Sequence, residues 1–118
     1  MRRAAPTIFP GKPLDWQDLE NRVCQIFLEI GRTATRRKST KTVRGRVDVD
    51  VVARDKARRP HVLVLCECKF WNRKVSKTVV HAFRTVVQDS GASLGFLISD
   101  AGFQSGGRGS AQGEVQTR

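Results

Sequence analysis

Residues 45–71 read GRVDVDVVARDKARRPHVLVLCECKFW, two β-rich runs separated by a charged segment carrying a proline. The pattern predicts two strands joined by a polar turn. In the first, a period of two sets Asp48 and Asp50 on one face and Val47, Val49 and Val51 on the other. In the second, Glu67 and Lys69 share a face with Leu63 and Leu65, opposite Val62, Val64, Cys66 and Cys68. A carboxylate and an amine therefore end an otherwise apolar row. Groups this costly to bury point to chemistry that needs them.

A hard divalent cation would use them. Mg2+ (or Mn2+) takes oxygen ligands in octahedral geometry and keeps several waters, a demand met by two carboxylates, a main-chain carbonyl and a substrate phosphate. Asp50, Glu67 and the carbonyl of Cys68 form such a set. The cation would acidify a bound water, and an ammonium beside it could orient the hydroxide and offset charge on the phosphorane-like transition state. Lys69 is the candidate for that ammonium.

The same residues resemble a known family. Val47-Asp48-Val49-Asp50-Val51-Val52, Glu67-Cys68-Lys69-Phe70-Trp71, Val80-His81-Ala82-Phe83, Gly95-Phe96-Leu97-Ile98-Ser99 and Gly102-Phe103 occur in that order. Together they resemble the Mrr-type restriction endonuclease domain of the PD-(D/E)XK nuclease superfamily, across residues 14–106. The resemblance implies an α/β fold, with a mixed β-sheet flanked by helices. It also implies a Mg-dependent deoxyribonuclease of the restriction type, with Asp50 as the motif aspartate and Glu67 and Lys69 as the second half-motif. Glu20 matches an acidic residue on the first helix, and Asp48 falls where relatives often carry a glutamate. Both are expected to assist. Val49 stands where the eponymous proline would be. Such domains work as dimers or beside a separate recognition domain. The same scaffold also serves junction-resolving and repair nucleases, and fold alone does not choose between them.

The chain has 118 residues, enough for one domain with a single modest core. Its 22 Lys and Arg against 11 Asp and Glu give a net charge of +11, which favours an anionic polymer as partner. Duplex DNA is the first expectation; a basic RNA-associated protein and a catalytically inactive DNA-binding module are the alternatives. No run is apolar and long enough to span a bilayer. Three cysteines, Cys24, Cys66 and Cys68, with no apolar signal segment, fit a reducing cytosol and a cytoplasmic protein. Cys66 and Cys68 with His61 and His81 lack the paired C-x-x-C spacing of a zinc site, and read more simply as small buried hydrophobes.

Residues 1–13 carry three prolines and read as an irregular leader. A first helix follows, with Asp15 as N-cap, Leu14 and Leu19 spaced as a hydrophobic staple, and Gly31 as the stop. Its apolar stripe is Trp16, Leu19, Val23, Ile26, Phe27 and Ile30. Glu20 borders that stripe; a solvent-facing glutamate near Arg22 is the competing reading. Residues 32–46 hold seven basic residues and no acid: Arg32, Arg36, Arg37, Lys38, Lys41, Arg44 and Arg46. Interleaved threonines and serines suit a strand and loop laid along phosphates, against the plainer reading of a solvated loop.

Ser76 is placed to cap a second helix with Val79, Val80, Phe83, Val86 and Val87 as its apolar face. His81 is expected on the surface. Residues 94–99 read as a buried strand reached by a βαβ crossover. Residues 107–118 offer only Ala111 and Val115 as aliphatics, so they read as a polar, Gly-rich tail that leaves the last family strand missing.

Overall fold

The computed structural model describes residues 11–55, 57, 62–104 and the backbone of 114–117. Expectations for residues 1–10, for Lys56, Arg58, Arg59, Pro60 and His61, and for residues 105–113 and 118 lie outside the described residues.

Helix α1 (Trp16–Glu29) starts as the sequence predicts, with Asp15 Oδ1 accepting from the Asp18 N–H at 2.7 Å. The staple does not form. Leu14 turns its own N–H onto Asp18 Oδ2 at 2.9 Å, which leaves its side chain 85 % exposed and away from Leu19. The buried stripe narrows to Leu19, Val23 and Phe27, while Trp16 and Ile30, at the two ends of the helix, stay exposed. Gly31 closes the helix at φ +85°, and the Arg32 N–H reaches back to the Phe27 carbonyl at 2.9 Å.

Strands β1 (Thr33–Thr42) and β2 (Gly45–Asp55) form an antiparallel hairpin, and β3 (Val62–Lys69) pairs antiparallel with β2. Helix α2 (Lys77–Asp89), capped by Ser76, carries the chain over to β4 (Leu94–Ser99), which lies parallel to β3. This is the predicted crossover. Gly95 lets it close tightly: a Cβ there would sit 2.4 Å from Val87 Cγ2. A fifth strand, β5 (Glu114–Thr117), pairs antiparallel with β4. The expectation that residues 107–118 add no strand is therefore corrected. Pairing at a sheet edge rests on backbone donors and acceptors, so a four-residue strand can form from a sequence too polar to read as one.

The sheet order is β1-β2-β3-β4-β5, with one helix on each face. On the α1 face, Leu19, Val23 and Phe27 pack against Val51, Ala53, Val64, Cys66, Cys68 and Ile98. On the α2 face, Phe83 and Val87 pack with Val49, Val52, Leu65, Leu97 and Phe103. These two layers identify an α/β fold with a mixed sheet. Val49 and Val51, two apart, belong to opposite faces. A strict period of two does not hold through β2, and the predicted shared face of Val47, Val49 and Val51 breaks at Asp50. In β3 the predicted alternation holds, with Leu63 and Leu65 on the α2 side and Val62, Val64, Cys66 and Cys68 on the α1 side. No described helix is long and apolar enough to cross a membrane.

Candidate active site at a strand fork

The β2–β3 ladder runs from Asp55 opposite Val62 to Val51 opposite Cys66 and stops there. Continued, the same register would set Val49 opposite Cys68. Instead the Cys68 N–H donates to Asp50 Oδ2 at 2.8 Å, so a side-chain carboxylate takes the place of a strand carbonyl. Beyond this point β2 stays with β1, as far as Gly45 opposite Thr42, while β3 continues along β4 to Lys69 opposite Ser99. The sheet forks. The hairpin arm returns to α2 at its tip, where the Val43 N–H reaches the Asp89 carbonyl at 3.1 Å and Arg44 pairs with Asp89 at 3.3 Å. Between the arm, the end of β3 and α2 lies a cavity of about 250 Å³, bordered by Val47, Asp48, Glu67, Lys69, Trp71 and Phe83 among others.

Glu67 and Lys69 border this cavity, and Lys69 Nζ donates to Glu67 Oε2 at 3.0 Å with both side chains largely buried. Burial raises the Glu67 carboxyl above its ordinary range, and the Asp50 charge raises it further; the Lys69 ammonium and the Asp50 amide oppose this without reversing it. Glu67 thus has one ammonium partner and a second carboxylate, Asp50, near enough to act on it. That donor set suits a hard cation, because it offers only oxygens. The Cys66 and Cys68 thiols are pushed upward by burial first of all, so they keep their protons and are poor soft-metal ligands. Among the described residues, no three or more His, Cys, Asp or Glu side chains converge as metal ligands. A cation here would have two carboxylates and main-chain or solvent oxygens.

The arrangement has a counterpart among known sequences. A family model described as restriction endonuclease, Mrr_cat, matches residues 12–117. The chain belongs to this restriction endonuclease family. No curated protein matches the chain. Among solved structures, the protein of unknown function AF1548 is similar, with a TM-score of 0.62 at 16 % identity over 74 % of this chain and 48 % of that one. At this identity the likeness concerns the fold. The present chain spans about half the length of that protein. The family match reaches beyond residue 106 to take in β5, consistent with the extra strand.

Within this Mrr-type domain the remaining sequence-predicted residues divide. Asp48 is exposed on the arm and borders the cavity. Glu20 does not join the Glu67–Lys69 pair. It is buried, at 2 % exposure, and held by β1: Arg36 donates through Nε and Nη2 to Oε1 at 3.2 and 2.9 Å, and Arg37 through Nη2 to Oε2 at 3.2 Å. Arg37 also lies over the Trp16 ring at 4.3 Å. Two of the seven expected phosphate contacts are therefore tied to α1, with Arg37 still exposed. Arg32 is half-buried, with an Nε that has no hydrogen bond among the described residues. Arg46 braces the hairpin through Ser39 at 2.9 and 3.1 Å, and Arg44 holds Asp89. Lys38 and Lys41 are exposed, with no ion pair among the described residues.

Sequence reasoning missed Asp100. It is 2 % exposed and fixes the exit of β3: its oxygens accept from the Trp71 and Asn72 N–H groups at 3.1 and 2.9 Å, and its own N–H donates to the Lys69 carbonyl at 3.2 Å. Asn72 at φ +55° makes the turn that this carboxylate requires. Trp71 does not bury at the strand end. It stays 40 % exposed, with Lys69 Nζ 4.9 Å and Arg73 Cζ 4.8 Å from its ring, so the motif lysine is steadied by both a carboxylate and an indole. An aspartate directly after an apolar strand was the available sequence signal.

Proposed function

We propose that the protein is a Mg2+- or Mn2+-dependent DNA endonuclease that hydrolyses a phosphodiester bond by attack of water. The observation that carries the reading is the fork, where Asp50, anchored on the Cys68 amide, comes beside the Glu67–Lys69 pair. Asp50, Glu67 and the Cys68 carbonyl would hold the cation. When bound, it supplies an acidified water and a counter-charge for the phosphate. Lys69 holds its ammonium at the same spot, where it orients the attacking water and offsets charge on the transition state. Asp48, on the arm, assists from the opposite wall. Asp100 keeps Lys69 in place by fixing the backbone that follows it.

Duplex DNA is the substrate this reading requires, and the net charge of +11 supports it. Lys38 and Lys41, exposed on the arm that walls the cavity, are the phosphate contacts this reading assigns to the arm. A second reading, a DNA-binding module without catalysis, is favoured by the small number of carboxylates at the fork. Cleavage of supercoiled plasmid with Mg2+, with and without chelator, decides between them. Nicking by wild type that disappears with chelator and in Asp50→Ala is expected; binding without cleavage in every sample would leave the passive module. Parallel assays on four-way junctions and damaged duplexes separate a restriction activity from a resolving or repair one.

A further inference from the structure

The β1–β2 ladder contains one gap. Arg36 pairs with Val51 and Lys38 with Val49, yet Arg37 and Asp50, which the register sets opposite each other, do not pair. Arg37 occupies the left-handed region at φ +52°, unfavourable for a side chain with a Cβ and persistent only where the surroundings enforce it. The enforcing contacts are all on α1. Glu20 takes the Arg36 and Arg37 guanidinium groups on its two oxygens, and Trp16 lies under Arg37. Opposite this gap, β2 changes the face to which its side chains point, between Val49 and Val51. There too β2 parts from β3, and Asp50 Oδ2 takes the Cys68 N–H at 2.8 Å.

We propose that Glu20 is a positioning residue for Asp50: by clamping Arg36 and Arg37 to α1 it opens the ladder at one residue pair, and the opened strand delivers the Asp50 carboxylate to the fork. This rests on the reading of Asp50 as a site carboxylate, and gives Glu20 a role at a distance from the cation. It also gives Arg36 and Arg37, the latter still exposed, a role within the fold.

The Cys68 amide reports the delivery directly, without any cation or DNA. In 1H–15N spectra of the free protein, Asp50→Ala is expected to shift the Cys68 resonance and speed its solvent exchange, since the amide loses its acceptor. Glu20→Ala is expected to move the same resonance in the same direction, with Glu20→Gln intermediate, while the β4 amides Phe96 and Ile98 stay in place. In the double variant Asp50→Ala/Glu20→Ala the Cys68 resonance should match that of Asp50→Ala alone, a non-additivity that general loosening would not produce. Arg37→Gly covers the case in which Glu20→Ala fails to fold. Glycine tolerates the left-handed backbone, so the ties of Arg37 to Glu20 and Trp16 are lost without added backbone strain, and the Cys68 shift should still appear. A Cys68 amide unmoved in Glu20→Ala or Arg37→Gly, with β4 intact, overturns the proposal. Absence of cleavage by wild type would break the nuclease reading and leave this test standing.

Discussion

Glu20 and Glu67 lie on opposite sides of one sheet, and the contrast between them separates structure from chemistry. Glu20, on the α1 side, has three guanidinium hydrogen bonds from two arginines, so its buried charge is fully compensated. Glu67, on the α2 side, has one ammonium and a nearby Asp50, and its carboxyl is raised above the ordinary range by burial and by that neighbour. A compensated buried charge orders the chain around it; an under-compensated one stores a demand for a cation or a proton. Sequence alone places each acid beside an apolar row, Glu67 as an expected ligand and Glu20 as an expected helper, without showing what either meets.

The largest effect that would break this contrast concerns Glu20. Glu20→Ala removes a buried carboxylate whose two arginine partners still reach solvent, so it is expected to cost about 1–3 kcal/mol of stability, read from urea or thermal unfolding. A loss below about 1 kcal/mol, the range of exposed pairs, would show that the cluster behaves as surface. Next comes Lys69→Ala. If Lys69 stabilises developing charge, turnover should fall about 10²–10³-fold with little change in DNA affinity. A fall in affinity alone would make Lys69 a phosphate contact.

Glu67 should respond in the opposite sense to Glu20. A carboxyl raised in the folded state favours its protonated form, so its contribution to stability is present at low pH and is lost as pH rises through the folded-state value. Glu67→Gln, measured with chelator present, is therefore expected to raise Tm at neutral pH by a few degrees, with the gap to wild type closing as pH falls below the normal carboxylate range. A variant less stable than wild type at neutral pH would mean that the Lys69 ion pair outweighs burial. Added Mg2+ should stabilise wild type more than Glu67→Gln. The smallest effect sharpens the arm: Lys38→Ala and Lys41→Ala should each weaken duplex binding uniformly across sequences and lower the salt slope by about 1, whereas Arg36→Ala should leave that slope unchanged.

Local pattern made much of the domain legible. The capping aspartate and serine, the crossover from β3 to β4, the alternation in β3 and the burial of Cys66 and Cys68 all follow from neighbours a few residues apart, and the structure bears them out. Glu67 and Lys69 were picked out the same way, as polar groups ending an apolar row, and Asp50 as one of two aspartates sharing a strand face. The failures have a common cause. Leu14 misses its staple because a main-chain hydrogen bond to Asp18 takes it, and β5 forms because an edge strand is recruited by its neighbour's backbone, not by its own side chains.

What the chain order by itself determined, then, is the two helices, the strands β2 to β4 and which acids are costly to bury, since these depend on spacing along the chain. Only the tertiary structure decided what each charge meets. Arg36 and Arg37 lie in a basic run that looks uniform in one dimension, but α1 packs a buried Glu20 against them and so ties their guanidinium groups to the fold, while Lys38 and Lys41 have no ion pair among the described residues. The break at Asp50 is likewise invisible to a period of two, because it arises where three strands meet and one must leave. Compensation of charge is a property of distances through space, and those are set when the helices close over the two faces of the sheet.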